Sequence, residues 1–252
     1  MLHFFLNFLF LILFWGCATN VKTSGARLIS PEAQGKAWQG IANGRIEGSA
    51  KYELNFDEDT VYSKLKHSKK DNEVISAGAE IGTFKPLDLI INLASTTDLG
   101  LKYQILGDRR VDAKKGSYSL SMVGFTGSQS AKNVGGNNFF DTTNIHRISY
   151  SFQHRSYGLL AGYRFWDPLL TYIGTHRIYE TVSGKVTTDT RVLDDATFGY
   201  GNTALLQTIG LIYHAQSNYI VTKLEFSHLT TKWTRTTKHT DNAINFAFGF
   251  DW

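Results

Sequence analysis

Ile244-Asn245-Phe246-Ala247-Phe248-Gly249-Phe250-Asp251-Trp252 places a large apolar side chain at every second position up to Trp252. A period of two marks a β-strand with one apolar face and one small or polar face. The same pattern recurs upstream. Ile46, Gly48, Ala50, Tyr52, Leu54 and Phe56 alternate with Arg45, Glu47, Ser49, Lys51, Glu53 and Asn55. Leu87, Leu89, Ile91 and Leu93 share one parity, as do Leu99, Leu101, Tyr103 and Ile105. Composition agrees with an all-β chain: 13% of the 252 residues are aromatic and Pro is scarce at three. Charged residues at 19% speak against disorder, and a net charge of +4, spread along the chain, speaks against a nucleic-acid partner. The lone Cys excludes an internal disulfide framework.

Spacing predicts strands at about 44–56, 74–84, 87–95, 99–107, 117–127, 146–165, 169–182, 203–214, 219–232 and 243–252, ten in all. The links Lys85-Pro86, 108–116, Trp166-Asp167-Pro168 and 215–218 are mostly short, with turn chemistry. The alternate links 57–73, 96–98, 128–145, 183–202 and 233–242 are mostly long and polar. Within 146–165 the apolar parity changes: Ile148, Tyr150 and Phe152 use one, Leu159, Ala161, Tyr163 and Phe165 the other. A β-bulge near His154–Tyr157 is expected to absorb the change, because a bulge shifts parity by one. Aromatic residues gather beside the short turns: Phe84, Tyr118, Phe165, Trp166, Tyr213, Tyr219 and Trp252.

Alternation alone does not say which face meets the core. A soluble barrel turns its apolar face inward, a membrane barrel outward. Here the closing strand, with Phe246, Phe248, Phe250 and Trp252, closely resembles the C-terminal insertion signal of bacterial outer-membrane β-barrels. That resemblance implies an antiparallel up-and-down transmembrane barrel of about ten strands, with eight and twelve as alternatives, in the bacterial outer membrane. The implied partners are outer-membrane lipids, lipopolysaccharide, and the barrel-assembly and lipoprotein-sorting machinery.

The N-terminus reads as an export signal. Residues 2–15 are almost continuously apolar, too few for a spanning helix, which needs about 20. Phe14-Trp15-Gly16-Cys17-Ala18 resembles a bacterial lipobox, which implies a lipidated Cys17 as first residue of the mature chain. Ordinary cleavage after Ala18 and a retained anchor stay open. Residues 18–42 hold Gly25, Pro31, Gly35 and Gly40 without apolar periodicity. The expected division is a signal peptide at 1–16, a lipid-anchored tether at 17–42 and a barrel at 43–252.

The inward parity carries Glu47, Lys51, Glu53, Glu80, Asp88, Lys102, Arg164, Lys223, Glu225 and Asp251, nearly balanced in sign. Ion pairing across the lumen is expected to offset their desolvation. Ten strands lie far below the 16–18 of open porins, so a structural or surface role with at most a narrow pore is expected. No cofactor or metal is expected. His214, Ser217 and Glu225 are similar to the His-Ser-Glu set of outer-membrane lipid A deacylases, in which Ser is the nucleophile. One extra residue separates His214 from Ser217, and a turn rich in Asn and Ser reads the same stretch equally well. A lipid-modifying enzyme and an exported soluble barrel with a small ligand are the alternative functions.

Overall fold

The computed structural model describes residues 20–24, 26–57, 60–68, 73–94, 96–136, 146–188, 196–215 and 219–252. Its strands are β1 (Asn20–Ser24), β2 (Gly40–Asp57), β3 (Thr60–Ser68), β4 (Glu73–Phe84), β5 (Leu87–Leu93), β6 (Thr97–Gly107), β7 (Tyr118–Gly136), β8 (His146–Trp166), β9 (Leu169–Thr188), β10 (Ala196–His214), β11 (Ile220–Trp233) and β12 (His239–Asp251). From β4 to β12 each strand pairs antiparallel with the next. The first half of β2 closes the ring: Ile41–Ile46 pair with β12, and Gly40–Gly48 pair with β4. Ten strands, β2 and β4–β12, therefore form a closed antiparallel barrel, which leaves no open edge. The short turns and Trp252 lie at one end and the long links at the other.

Closure is clamped at the short-turn end. Gly40 and Trp252 exchange backbone hydrogen bonds of 3.2 and 3.0 Å, and the Trp252 indole donates to the Trp38 carbonyl at 3.0 Å. Beside that turn-lined rim stand Phe84, Tyr118, Phe165, Trp166, Tyr213, Tyr219 and Trp252, all exposed. The sequence-based ring of aromatics is thus present.

The barrel has two storeys, and the parity change in β8 comes from them. Even-numbered residues of β8 point inward from Tyr150 through Phe152, His154, Ser156 and Leu160 to Arg164, without interruption. No bulge lies at His154–Tyr157. The shift in the β8–β9 ladder falls at Arg164/Trp166 instead. What changes is which face is apolar. In the lower storey the outward face carries Tyr157, Leu159, Tyr163 and Phe165, while in the upper storey the inward face carries Tyr150 and Phe152. The same switch occurs in β10, from Ile209, Leu211 and Tyr213 outside to Tyr200, Ala204 and Leu206 inside. In β11 it runs from Phe226 outside to Leu229 and Trp233 inside.

The upper storey is filled by the chain itself. Beyond Gly48, β2 leaves the wall and pairs with β1 (Asn20↔Glu53 to Ser24↔Ser49) and with β3 (Lys51↔Ser68 to Asp57↔Thr60). So the span 57–73, expected as a loop, contains a strand. Val21, Ala50 and Tyr52 pack in one buried cluster with Tyr150, Phe152, Ile178, Val182, Leu206 and Trp233. Such burial stabilises by roughly 25 cal/mol per Å² of apolar surface removed from water.

Residues 26–35, read from sequence as part of an aperiodic tether, are buried to the last residue. They follow β1 down the lumen and reach the short-turn rim, where Gly35 turns the chain out with φ of 86°. A side chain there would meet Val111 Cγ2 at 2.8 Å, so glycine serves both the turn and the close approach.

Candidate functional site

The lumen is an ion-lined channel occupied by the arm formed by residues 20–36. Strand alternation aims Glu80, Asp88, Lys102, Arg164, Lys223 and Glu225 inward, and each is buried. Glu80 sits between Lys102 (2.9 Å) and Lys223, while Lys102 also pairs with Asp88 at 3.0 Å. Higher up, Arg45 pairs with Glu47 at 3.6 Å and donates to Asn92 at 2.8 Å. The expectation that lumen charges pair with one another holds for these groups. It covers half of what they do.

The other half is to satisfy the backbone of the arm. The Arg27 and Leu28 amides donate to Glu225 at 3.0 and 3.2 Å. The Ser30 amide donates to Glu80, the Ala33 amide to Gln104 at 2.7 Å, and the Gln34 amide to Asp88 at 3.1 Å. In the opposite sense, Lys223 Nζ donates to the Leu28 carbonyl (2.8 Å) and Lys102 Nζ to those of Ser30 (2.9 Å) and Glu32 (2.8 Å). Ser121 Oγ donates to the Pro31 carbonyl, and the Arg110 amide to that of Ala33 at 2.9 Å. An irregular buried segment must find partners for its backbone, and here the wall supplies them. Side chains add to the grip. Arg164 pairs with Glu32, and Arg27 lies over the Phe125 ring at 5.7 Å.

At the short-turn rim Arg110 donates to Gln34 and pairs with Asp251. Burial lowers its guanidinium to about 10, against the pull of the Glu80 and Glu32 carboxylates, which leaves it charged at neutral pH. At the other end Glu180 gathers Thr23 Oγ1 (2.5 Å), Asn202 Nδ2 (2.7 Å) and His154 Nδ1 (3.2 Å). Between these layers lies a cavity of about 10 Å³ lined by Arg27, Arg45, Glu47, Asp98, His154 and Glu180, room for about one water.

Lys51 lies on the upper part of β2, half-buried, opposite Lys22 of β1. The backbone of Glu53 pairs with Asn20, and its side chain lies outside the described residues, as do Cys17 and Ser217. Phe246, Phe248, Phe250 and Trp252 all face outward. His214 is half-buried at the rim opposite Val221, whereas Glu225 lies opposite Gly210, four residues up the same ladder. At ~3.3 Å per residue that is roughly 13 Å, beyond hydrogen-bond reach. Glu225 is instead committed to the arm, to Tyr172 Oη at 2.8 Å and to Asn245 at 3.3 Å. A His–Ser–Glu relay is therefore not assembled from His214 and Glu225.

Sequence reasoning missed Arg27, Glu32, Gln104, Ser121 and Glu180 as members of the site. Glu180 had a signal: it interrupts the apolar parity of Ile178 and Val182. The arm had none, because its contacts run mostly through backbone atoms.

No protein-family model matches the chain, and no curated protein matches it. Among solved structures, the outer-membrane channel DcaP of Acinetobacter baumannii is similar over 88% of this chain and 100% of that chain, with 10% identity and a TM-score of 0.22. A likeness at that score carries no argument.

Proposed function

We propose that the chain is an outer-membrane β-barrel lipoprotein with a structural or surface role, its lumen closed by its own N-terminal arm. The observation that carries this reading is the exterior belt. On β10 the outward residues Leu205, Ile209, Leu211 and Tyr213 are all exposed, with only Gln207 polar among them. From Leu205 to Tyr213 is nine residues, and a tilted transmembrane strand needs about 9–11. On β12 the belt is Ile244, Phe246, Phe248 and Phe250; on β6 it is Leu99, Leu101, Tyr103 and Ile105. Water would leave this surface as a large exposed apolar patch, whereas hydrocarbon solvates it. A soluble barrel would hold these residues inside, yet inside stand Glu80, Lys102, Lys223 and Glu225. A closed ladder also satisfies every wall amide, which a bilayer demands.

Above the belt β7–β10 continue, with outward Ser151, Gln153 and Arg155 on β8, as a wettable wall beyond the membrane. The export signal and a lipidated Cys17 belong to the same proposal. So do the lipid and lipopolysaccharide contacts of the belt and rim. With the arm in place the lumen conducts no solute, and a pore requires the arm to leave. The test is fractionation with gel mobility before and after boiling. A folded barrel in the outer-membrane fraction that migrates differently once boiled supports the reading. A soluble periplasmic protein whose mobility does not depend on heating overturns it.

A further inference from the structure

The arm has a direction, fixed by contacts at every level of the wall. Asn20 is paired with Glu53, on the part of β2 that lies beyond the wall toward the long links, and Ser24 with Ser49. Ser24 Oγ then donates to Glu47 at 3.0 Å. Arg27 and Leu28 meet Glu225, Ser30 meets Glu80, and Gln34 meets Asp88, which lies just past the short β4–β5 turn. Finally the Lys36 carbonyl rests on Gly82 and the Trp38 amide donates to the Gly82 carbonyl at 2.8 Å. Reading Glu47, Glu225, Glu80 and Asp88 in turn is a descent of the barrel. The chain thus enters at the long-link end, passes down the lumen, leaves at the short-turn end and turns back to begin the wall at Gly40.

We infer that whatever precedes Asn20 emerges on the long-link face, the cell exterior of an outer-membrane barrel, so that an acyl group on Cys17 is presented to the outer leaflet. This rests on the membrane reading above, because in such barrels the short turns face the periplasm. Reach decides between the leaflets. Cys17 is three residues from Asn20, at most about 10 Å of chain. The periplasmic side is the whole arm away: sixteen residues from Asn20 to Lys36, at most about 55 Å extended, against ~40–45 Å for a bilayer with its headgroups. The arm cannot swing sideways to the other leaflet, because the wall is hydrogen-bonded all round it. Nor can it withdraw without stripping Glu80, Asp88, Lys102, Lys223 and Glu225 of their partners. The wall is built for this passenger. A side chain at Gly162 would meet Pro31 Cγ at 2.5 Å, and one at Gly82 would meet the Lys36 carbonyl at 2.2 Å. The barrel must therefore close around an arm already in place.

The experiment is cysteine labelling of the full chain with a membrane-impermeant maleimide, on intact cells and on cells with a permeabilised outer membrane. The variants are Asn20→Cys, Trp38→Cys at the short-turn end, and Thr237→Cys in the long-link turn after β11, each corrected for the unsubstituted chain. The expected result is labelling of Asn20→Cys and Thr237→Cys on intact cells, and at least a tenfold rise for Trp38→Cys on permeabilisation. If Thr237→Cys labels intact cells but Asn20→Cys labels only permeabilised ones, the arm runs the other way and the inference falls while the barrel stands. If Thr237→Cys also needs permeabilisation, the membrane reading itself fails. Should Asn20→Cys react in neither state, an epitope inserted between Thr19 and Asn20 replaces it. Antibody binding to intact cells then supports the inference, and binding only after permeabilisation overturns it.

Discussion

Replacing Glu80 with Gln removes one negative charge from the centre of the lumen while keeping its volume. Glu80 is fully buried, with Lys102 at 2.9 Å and Lys223 on its other oxygen, and it accepts the Ser30 amide of the arm. After the change Lys102 keeps Asp88 at 3.0 Å and two arm carbonyls, so its loss is partial. Lys223 keeps only the Leu28 carbonyl at 2.8 Å among the partners described for it here. Breaking a buried pair by removing one partner costs about 3–5 kcal/mol, since the other charge stays buried without compensation. Because one of two cations is rescued by Asp88, the lower half of that range, about 3–4 kcal/mol, is expected for Glu80→Gln. Urea titration in lipid measures it as a fall in midpoint at constant slope. Glu73→Gln, exposed on the same strand, should stay within about 0.5 kcal/mol. The arm shares the damaged cluster, so the variant should also show conductance bursts in planar bilayers that the native protein lacks. A Glu80→Gln loss under about 1 kcal/mol would refute the claim that this carboxylate ties arm to wall.

Gly162→Leu should drive Pro31 from its seat while sparing the wall ladder, giving a heat-modifiable barrel that conducts in planar bilayers. Leu101→Arg, on the outward face, should cost about 2–4 kcal/mol in lipid if it lies near the bilayer midplane, as read by urea titration. Deleting 243–252 removes the partner of both β11 and β2, and the chain should then be absent from the outer-membrane fraction. Trp252→Asp should lower outer-membrane yield by loosening the Gly40 clamp, whereas Trp252→Phe should be tolerated in the same assay.

The wall was legible because alternation over ten residues is a strong pattern and the short turns punctuate it. Even the closing pair, 44–56 with 243–252, follows from an even strand count. Segment 146–165 was misread for a physical reason. Apolar parity reports which side of the strand faces the less polar surroundings, and those change along β8: hydrocarbon outside Leu159, the packed upper core inside Phe152. A bulge and a change of surroundings look alike in sequence. The upper parts of β7, β9 and β10 were read as loops because their outward residues, such as Ser128, Ser183 and Lys185, are polar and blur the pattern. The lumen charges were legible by parity, but not their cargo. Residues 26–35 show no period because no ladder holds them. Their amides and carbonyls are taken up one at a time by Glu225, Lys223, Glu80, Lys102, Gln104 and Asp88, each remote in sequence.

Amide hydrogen exchange of the folded protein in detergent or lipid tests the central claim, a membrane barrel filled by its own N-terminal arm. Protection reports hydrogen-bonded amides shielded from water. The arm peptide covering 26–35 should exchange as slowly as the β10–β11 wall, with Trp38, exposed at the rim, exchanging fast. An arm that exchanges at the rate of a solvated linker, while the wall stays protected, would contradict the account.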